Sequence, residues 1–205
     1  MSLFITFEGG EGCGKSTQSK AFYRNVLKLA APAILIHEPG STPLGERVRF
    51  LLKRSNEVPI SPLTELMLFN AARSQLVHEV INPRLKEGKI VICDRFADST
   101  VAYQHYGRGI NFELVTEVNR AACQGVKPDT TFLLDIRPEM GLARKRSGVQ
   151  DRFEQEDLAF HQRVREGFLK LADGEPRRWV IIDASQSKSH IAALIWDKMR
   201  ALNYL

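Results

Sequence analysis

The chain has 205 residues, 43% of them apolar and 26% charged, and a net charge of +5. That length buries a sizeable core in one α/β domain spanning 1–205, and the composition is ordinary for a globular protein. No apolar run approaches a membrane span. The opening Met1-Ser2-Leu3 runs directly into a strand without a signal peptide, so a cytoplasmic location is expected.

The excess positive charge is scattered, or clustered near 144–152, without the long basic stripe that a duplex binder needs. It favours phosphorylated small molecules over nucleic acid. Cys13, Cys93 and Cys123 are too widely spaced for a disulfide framework or a metal-ligand pattern. Cys93 ends an apolar strand and reads as a core filler, and Cys13 is given no catalytic role.

In chain order, the apolar run Leu3 to Phe7 predicts a first strand. It leads into Gly9-Gly10-Glu11-Gly12-Cys13-Gly14-Lys15-Ser16, a glycine, four residues, then Gly-Lys-Ser. Glycines let the backbone curl so that successive N–H groups converge on phosphate oxygens, and the following helix adds its positive N-terminus. Lys15 can reach the β- and γ-phosphates, and the Ser16 hydroxyl can ligate Mg²⁺. A strand before and a helix after are the context this motif needs, so the loop implies binding of a nucleoside triphosphate.

A helix is predicted from about Ser16 to Ala30, with Phe22, Val26 and Leu29 on one face. Strand two covers Ala33 to Ile36, and a short helix passes through Leu44, Val48 and Leu51-Leu52. Ser61-Pro62 caps a long helix to about Lys86, with a kink expected at Pro83. Lys89 to Cys93 is strand three. Helices follow at Ser99 to Tyr106 and Phe112 to Ala122, then strand four at Thr130 to Asp135. A helix from about Pro138 enters a charged stretch, Arg144 to Glu156, before a helix at Leu158 to Leu171. Strand five (Trp179 to Asp183) and a closing helix (Ile191 to Leu202) complete the chain. Five apolar strands alternating with helices imply a parallel sheet flanked by helices on both faces.

Asp94 and Arg95 fall at the C-terminal end of strand three, where open α/β sheets bind ligands. The aspartate suits Mg²⁺ and the arginine suits a phosphate. The polar stretch at 144–156, with Arg144, Arg146 and Arg152, has the character of a lid that brings cations onto transferring phosphates. Phe69 and Arg73 share a helix face and could stack and read a base, and Thr100, Tyr103 and Gln104 share another. The chain lacks an Asp-x-x-Gly switch, an Asn/Thr-Lys-x-Asp guanine reader and a Leu-Ser-Gly-Gly-Gln signature. A small phosphotransferase fits better than a nucleotide switch.

Together with Glu38-Pro39-Gly40-Ser41-Thr42, Phe69-Asn70-Ala71-Ala72-Arg73, Asp94-Arg95-Phe96, Ser99 to Gln104, Gly107-Arg108-Gly109, Asp151-Arg152-Phe153-Glu154 and Ile182 to Ser185, the loop forms an ordered set. This set resembles the thymidylate kinase family across nearly the whole chain. The resemblance implies a P-loop nucleoside monophosphate kinase fold, ATP-dependent phosphorylation of dTMP to dTDP with Mg²⁺, and a homodimer. A kinase of another pyrimidine nucleoside monophosphate is the alternative.

Carried over by position, the loop residues with Lys15, Ser16 and Thr17 bind ATP phosphates, and Ser16 and Asp94 serve the metal. Arg144 joins the ATP site, and Ser185 and Gln186 lie near adenine. Glu11, Ser99, Thr100, Tyr103 and Gln104 border the dTMP sugar, phosphate and base. Phe69 stacks on thymine, Arg73 reads its carbonyl edge, and Arg95 holds the dTMP phosphate. With no arginine inside the loop and several in the lid, the chain resembles the bacterial, lid-arginine kind. Arg146 and Arg152 are then the leading catalytic cations beside Lys15 and Arg95. His37, Ser41 and Thr100 depart from the common family pattern.

Overall fold

The computed structural model describes residues 2–54, 59–145 and 151–202. Strand β1 (Leu3–Glu8) is buried along its whole length, as an apolar run without polar alternation is when both faces of a sheet are covered. It pairs in parallel with β3 (Ile90–Asp94) on one side and β4 (Thr130–Asp135) on the other. Strands β2 (Ala33–His37) and β5 (Trp179–Asp183) extend the sheet outward, giving five parallel strands in the order β2-β3-β1-β4-β5.

Side chains of β1 alternate between faces. Leu3, Ile5 and Phe7 join a core with Phe22 and Val26 of α1 (Lys15–Lys28) and Ile191, Ile195 and Met199 of α9 (Lys188–Ala201). Phe7 lies 5.4 Å from Phe132 and 5.9 Å from Phe22, ring centre to ring centre. Phe4 points the other way, into a cluster with Val91, Cys93 and Leu76 of α3 (Pro62–Leu76). Cys93 is the buried filler that its place in an apolar strand suggests.

Most helix boundaries follow local chemistry. Ser61 caps α3 by accepting the Thr64 N–H, and Pro62 takes the first helical position, where its missing N–H costs nothing. The kink expected at Pro83 takes a specific form. Residues Val77–Ile81 wind as a π-helical turn, in which the Asn82 N–H reaches back to the Val77 carbonyl, before α4 (Asn82–Lys86) resumes with proline in its first turn. A proline there has no N–H to give and crowds the preceding turn, so the wider winding is the accommodation.

The helix expected at Ser99 to Tyr106 is likewise compound, α5 (Ala97–Thr100) continuing as a π-helical stretch at Val101–Gly107. The remaining helices are α2 (Pro43–Arg54), α6 (Phe112–Cys123), α7 (Pro138–Ala143) and α8 (Leu158–Gly174). Phe160, Val164 and Phe168 of α8 pack with Tyr103 and Phe153 and fix the π-helical stretch against the sheet.

Candidate active site

Phe7 stands opposite both Asp94 and Phe132, so the loop after β1 opens beside the corner that follows β3. Gly9, Gly12 and Gly14 take φ of 137°, 68° and 96°, values that side-chain-bearing residues avoid. Gly12 has a second reason to be glycine: a Cβ there would overlap the carbonyl oxygen of Gly141 in α7. Gly14 hands over directly to α1, whose free N–H groups point into the loop. Lys15 curls back, its Nζ donating to the carbonyls of Gly9 (3.0 Å) and Gly10 (2.7 Å) and lying 3.4 Å from Cys13 Sγ.

Ser16 Oγ donates to Asp94 Oδ2. A hydroxyl and a carboxylate side by side are hard oxygen donors of the kind Mg²⁺ takes. Among the described residues no three acidic, His or Cys side chains converge on one point. These two residues therefore fit a Mg²⁺ whose other ligands are phosphate oxygens and water.

Arg95 has a left-handed φ of 72°, unusual for a residue with a side chain. Glu8, which the motif reading passed over, holds this corner. Its carboxylate accepts the Phe96 N–H at 2.8 Å and the Ser99 hydroxyl at 2.6 Å, and Ser99 in turn accepts from Arg95 Nη1 at 3.1 Å. Burial, reinforced by Asp98, pushes the Glu8 pKa up to about 7 against the opposing pull of Ser99, Arg95 and Phe96.

Glu11 is the electrostatic centre of the loop. It accepts from Arg95 Nη2 (2.6 Å), the Tyr103 hydroxyl (2.8 Å) and Lys145 Nζ (3.0 Å). Burial alone would raise its pKa, but Arg95, Lys15, Lys145 and Lys53 outweigh it and hold the carboxyl well below the usual range.

A cavity of about 1070 Å³ runs from this centre in two directions. One end is lined by Phe69, Arg73, Thr100, Tyr103 and Gln104, the other by Arg144, Gln186 and Lys188. Most of the residues assigned to the two nucleotides line this one space; Gly9, Gly10 and Ser185 do not. Arg144 donates to the carbonyls of Ala184 (2.9 Å) and Ser185 (3.3 Å) and so braces the loop after β5.

Arg73 is 2% exposed, and each N–H of its guanidinium has a protein partner: Glu38 for Nε and Nη2, Asn70 and Asn119 for Nη1, and Thr100 for Nη2. Burial raises the Glu38 pKa, partly countered by Arg73. Phe69 faces Phe153 at 5.8 Å, and Phe153 meets Tyr103 edge-on at 5.9 Å.

The lid residues divide. Lys145 reaches Glu11 of the glycine loop and also pairs with Glu154, while Arg144 stays on the loop after β5. Arg152, expected over the transferring phosphates, instead pairs with Glu65 of α3. Glu65 is 1% exposed, and a buried carboxylate gathers the countercharge within reach. Arg146 lies outside the described residues. Sequence reading missed Glu8, Glu65, Lys145 and Gly141; of these, only the glycine inside a helix carried a recognisable signal, a close packing contact.

A five-stranded parallel sheet, a glycine loop handing over to a helix, and one cavity lined by that loop and by residues beyond both of its sides define the class of P-loop nucleoside monophosphate kinases. The family profile described as "Thymidylate kinase" matches residues 7–195. A thymidylate kinase of Dehalococcoides mccartyi (strain 195) is 54% identical over 202 residues, covering 98% of each chain. One from Trichlorobacter lovleyi is 45% identical, with 95% of each chain covered. The crystal structure of thymidylate kinase from Ehrlichia chaffeensis superposes with a TM-score of 0.77 at 36% identity, covering 97% of this chain and 98% of its own. The chain belongs to the thymidylate kinase family.

Proposed function

We infer that this chain transfers the γ-phosphoryl group of ATP to dTMP, yielding ADP and dTDP. The observation that carries the reading is one cavity lined by Lys15, Glu11 and Arg95 together with residues assigned to both nucleotides. A dTMP phosphate oxygen, already ionised at neutral pH, attacks the γ-phosphorus in line. The new O–P bond forms as the bond to the β-phosphate oxygen breaks, and the electron pair leaves with ADP. No general base is needed, so the protein works by positioning and by neutralising charge.

Backbone N–H groups of residues 9–17 and Lys15 grip the ATP phosphates, and Arg95 holds the acceptor phosphate. Mg²⁺ held by Ser16 and Asp94 supplies charge neutralisation on the phosphate oxygens when bound. Phe69 stacks on the base, with Arg73 and Gln104 at its polar edge, while Tyr103 borders the deoxyribose. Ser185 and Gln186 lie beside adenine. Among the cations after α7, Arg144 and Lys145 act from their observed places, and Arg146 is a further candidate, while Arg152 would have to leave Glu65 to reach the phosphates. On the same reading the enzyme works in the cytoplasm as a homodimer, with no nucleic-acid or membrane partner. Supporting the homodimer, Leu63 and Met67 of α3 stand 49% and 46% exposed one turn apart.

The test is ATP consumption coupled to each monophosphate in turn, with Mg²⁺ present. A dominant rate with dTMP is expected. A dominant rate with another monophosphate would move the assignment to that kinase, and no transfer to any would overturn it.

A further inference from the structure

Behind the wall of the base end of the cavity lies one carboxylate that the reaction itself does not need. Glu65 does not line the cavity and is 1% exposed. Its Oε1 accepts Gln104 Nε2 at 2.8 Å and Arg108 Nε at 3.2 Å. Its Oε2 accepts Arg108 Nη2 at 3.3 Å and the guanidinium of Arg152. A carboxylate held between two arginines offers only acceptors, so the Gln104 amide has one permitted orientation, with its NH₂ turned to Glu65. Its carbonyl oxygen Oε1 makes no hydrogen bond among the described residues, and Gln104 lines the cavity next to Thr100 and Phe69. Every donor of neighbouring Arg73 is already committed to protein groups. The Gln104 carbonyl is therefore an amide acceptor with capacity to spare at this end of the cavity, beside the Thr100 hydroxyl, which accepts from Arg73, and the unpartnered Oε1 of Glu38.

We propose that Glu65 is a specificity-determining positioning residue: by fixing the sense of the Gln104 amide it presents an acceptor to the pyrimidine, and so admits bases with an N3–H donor. Thymine and uracil carry that donor. Cytosine has a bare N3 acceptor, which would meet the carbonyl oxygen of Gln104 lone pair to lone pair. The selection acts on the imide edge of the base and is indifferent to the 5-methyl group. It rests on the reading of this end as a pyrimidine nucleotide pocket.

Glu65→Gln tests it. A glutamine at 65 can donate or accept, so the Gln104 amide is released to turn over and offer its NH₂ to cytosine N3. The kcat/KM and the Kd, the latter by direct titration, are compared for dTMP, dUMP and dCMP. The preference for dTMP over dCMP should shrink about tenfold or more, the scale of a buried polar group left unpaired, while the dTMP to dUMP ratio stays put. Glu65→Asp, which keeps the acceptor-only carboxylate, should retain most of the preference even where rates fall. An unchanged dTMP to dCMP ratio in Glu65→Gln overturns the inference, because general damage to the fold lowers both substrates alike. Should that variant fail to fold, the wild-type protein still decides. Labelled Gln104 side-chain N–H protons should exchange with solvent slowly, and exchange at the rate of exposed glutamines would sink the idea. A wild type that binds dTMP tightly yet transfers nothing would defeat the kinase reading alone.

Discussion

Lys15 shows how a single charge is prepared for its task. Its ammonium is tied to the carbonyls of Gly9 and Gly10, within the glycine loop itself. Moving it onto phosphate oxygens exchanges neutral acceptors for charged ones, and charged hydrogen bonds are the stronger. Lys15→Ala should lower kcat by roughly 10²–10³-fold, measured by steady-state kinetics, and near-normal rates would refute its role. Glu8 gives a prediction with a sign. Its pKa in the fold, about 7, lies above the ordinary 4.5, so the folded protein binds a proton that the unfolded chain has released. That contribution is complete below the unfolded value and is lost as pH rises through about 7. Glu8→Gln mimics the protonated form at every pH. Urea unfolding of wild type and variant should therefore diverge between about pH 5 and about pH 8, with the wild type losing ground. A constant difference would show that the carboxyl does not titrate in that window.

Among elements, the decisive contact is between the glycine loop and α7. A Cβ at Gly141 would strike the carbonyl oxygen of Glu11, just as one at Gly12 would strike that of Gly141. The loop thus rests backbone on backbone against α7, and its shape depends on a helix with no phosphate-binding residue of its own. Gly141→Ala should cost about 1–3 kcal/mol of stability and raise KM for ATP more than KM for dTMP. Thermal unfolding and two-substrate kinetics check both parts, and equal changes in the two KM values would count against the contact. The same scale shows where pattern reading stops. Apolar periodicity located the helices, but the π-helical turns at Val77–Ile81 and Val101–Gly107 change the register within them. A one-residue change of winding leaves the apolar spacing almost intact, so it leaves little trace in the sequence. It nevertheless helps place Tyr103 and Gln104 together at the cavity wall.

Across the whole molecule, the sheet was legible because β1, β3 and β4 are continuous apolar runs, and the loop because its glycines and lysine must be adjacent in sequence. Buried charge was not. Glu8 meets Ser99 across 91 positions, Glu38 meets Arg73 across 35, and Glu65 meets Arg152 across 87. A lone glutamate in a sequence reads as a surface residue until the fold brings its partner. The family resemblance supplied the candidate substrate residues, while the buried carboxylates that hydrogen-bond to several of them emerged only from the packing. Assembly is tested at this scale. If α3 provides the homodimer surface, Met67→Asp should halve the sedimenting mass while leaving the far-ultraviolet circular dichroism unchanged. A wild type already sedimenting as one chain would remove the homodimer.

The cavity is continuous from Phe69 to Lys188, with no wall between its ends. A molecule joining a thymidine and an adenosine through a chain of phosphates would therefore enter as one body. It would lose its freedom of translation and rotation once instead of twice, and the effective concentration of each half beside the other would follow from the length of the tether. The fit of such a molecule is then set by a length, the number of phosphates that joins its two ends past Lys15 and Arg95.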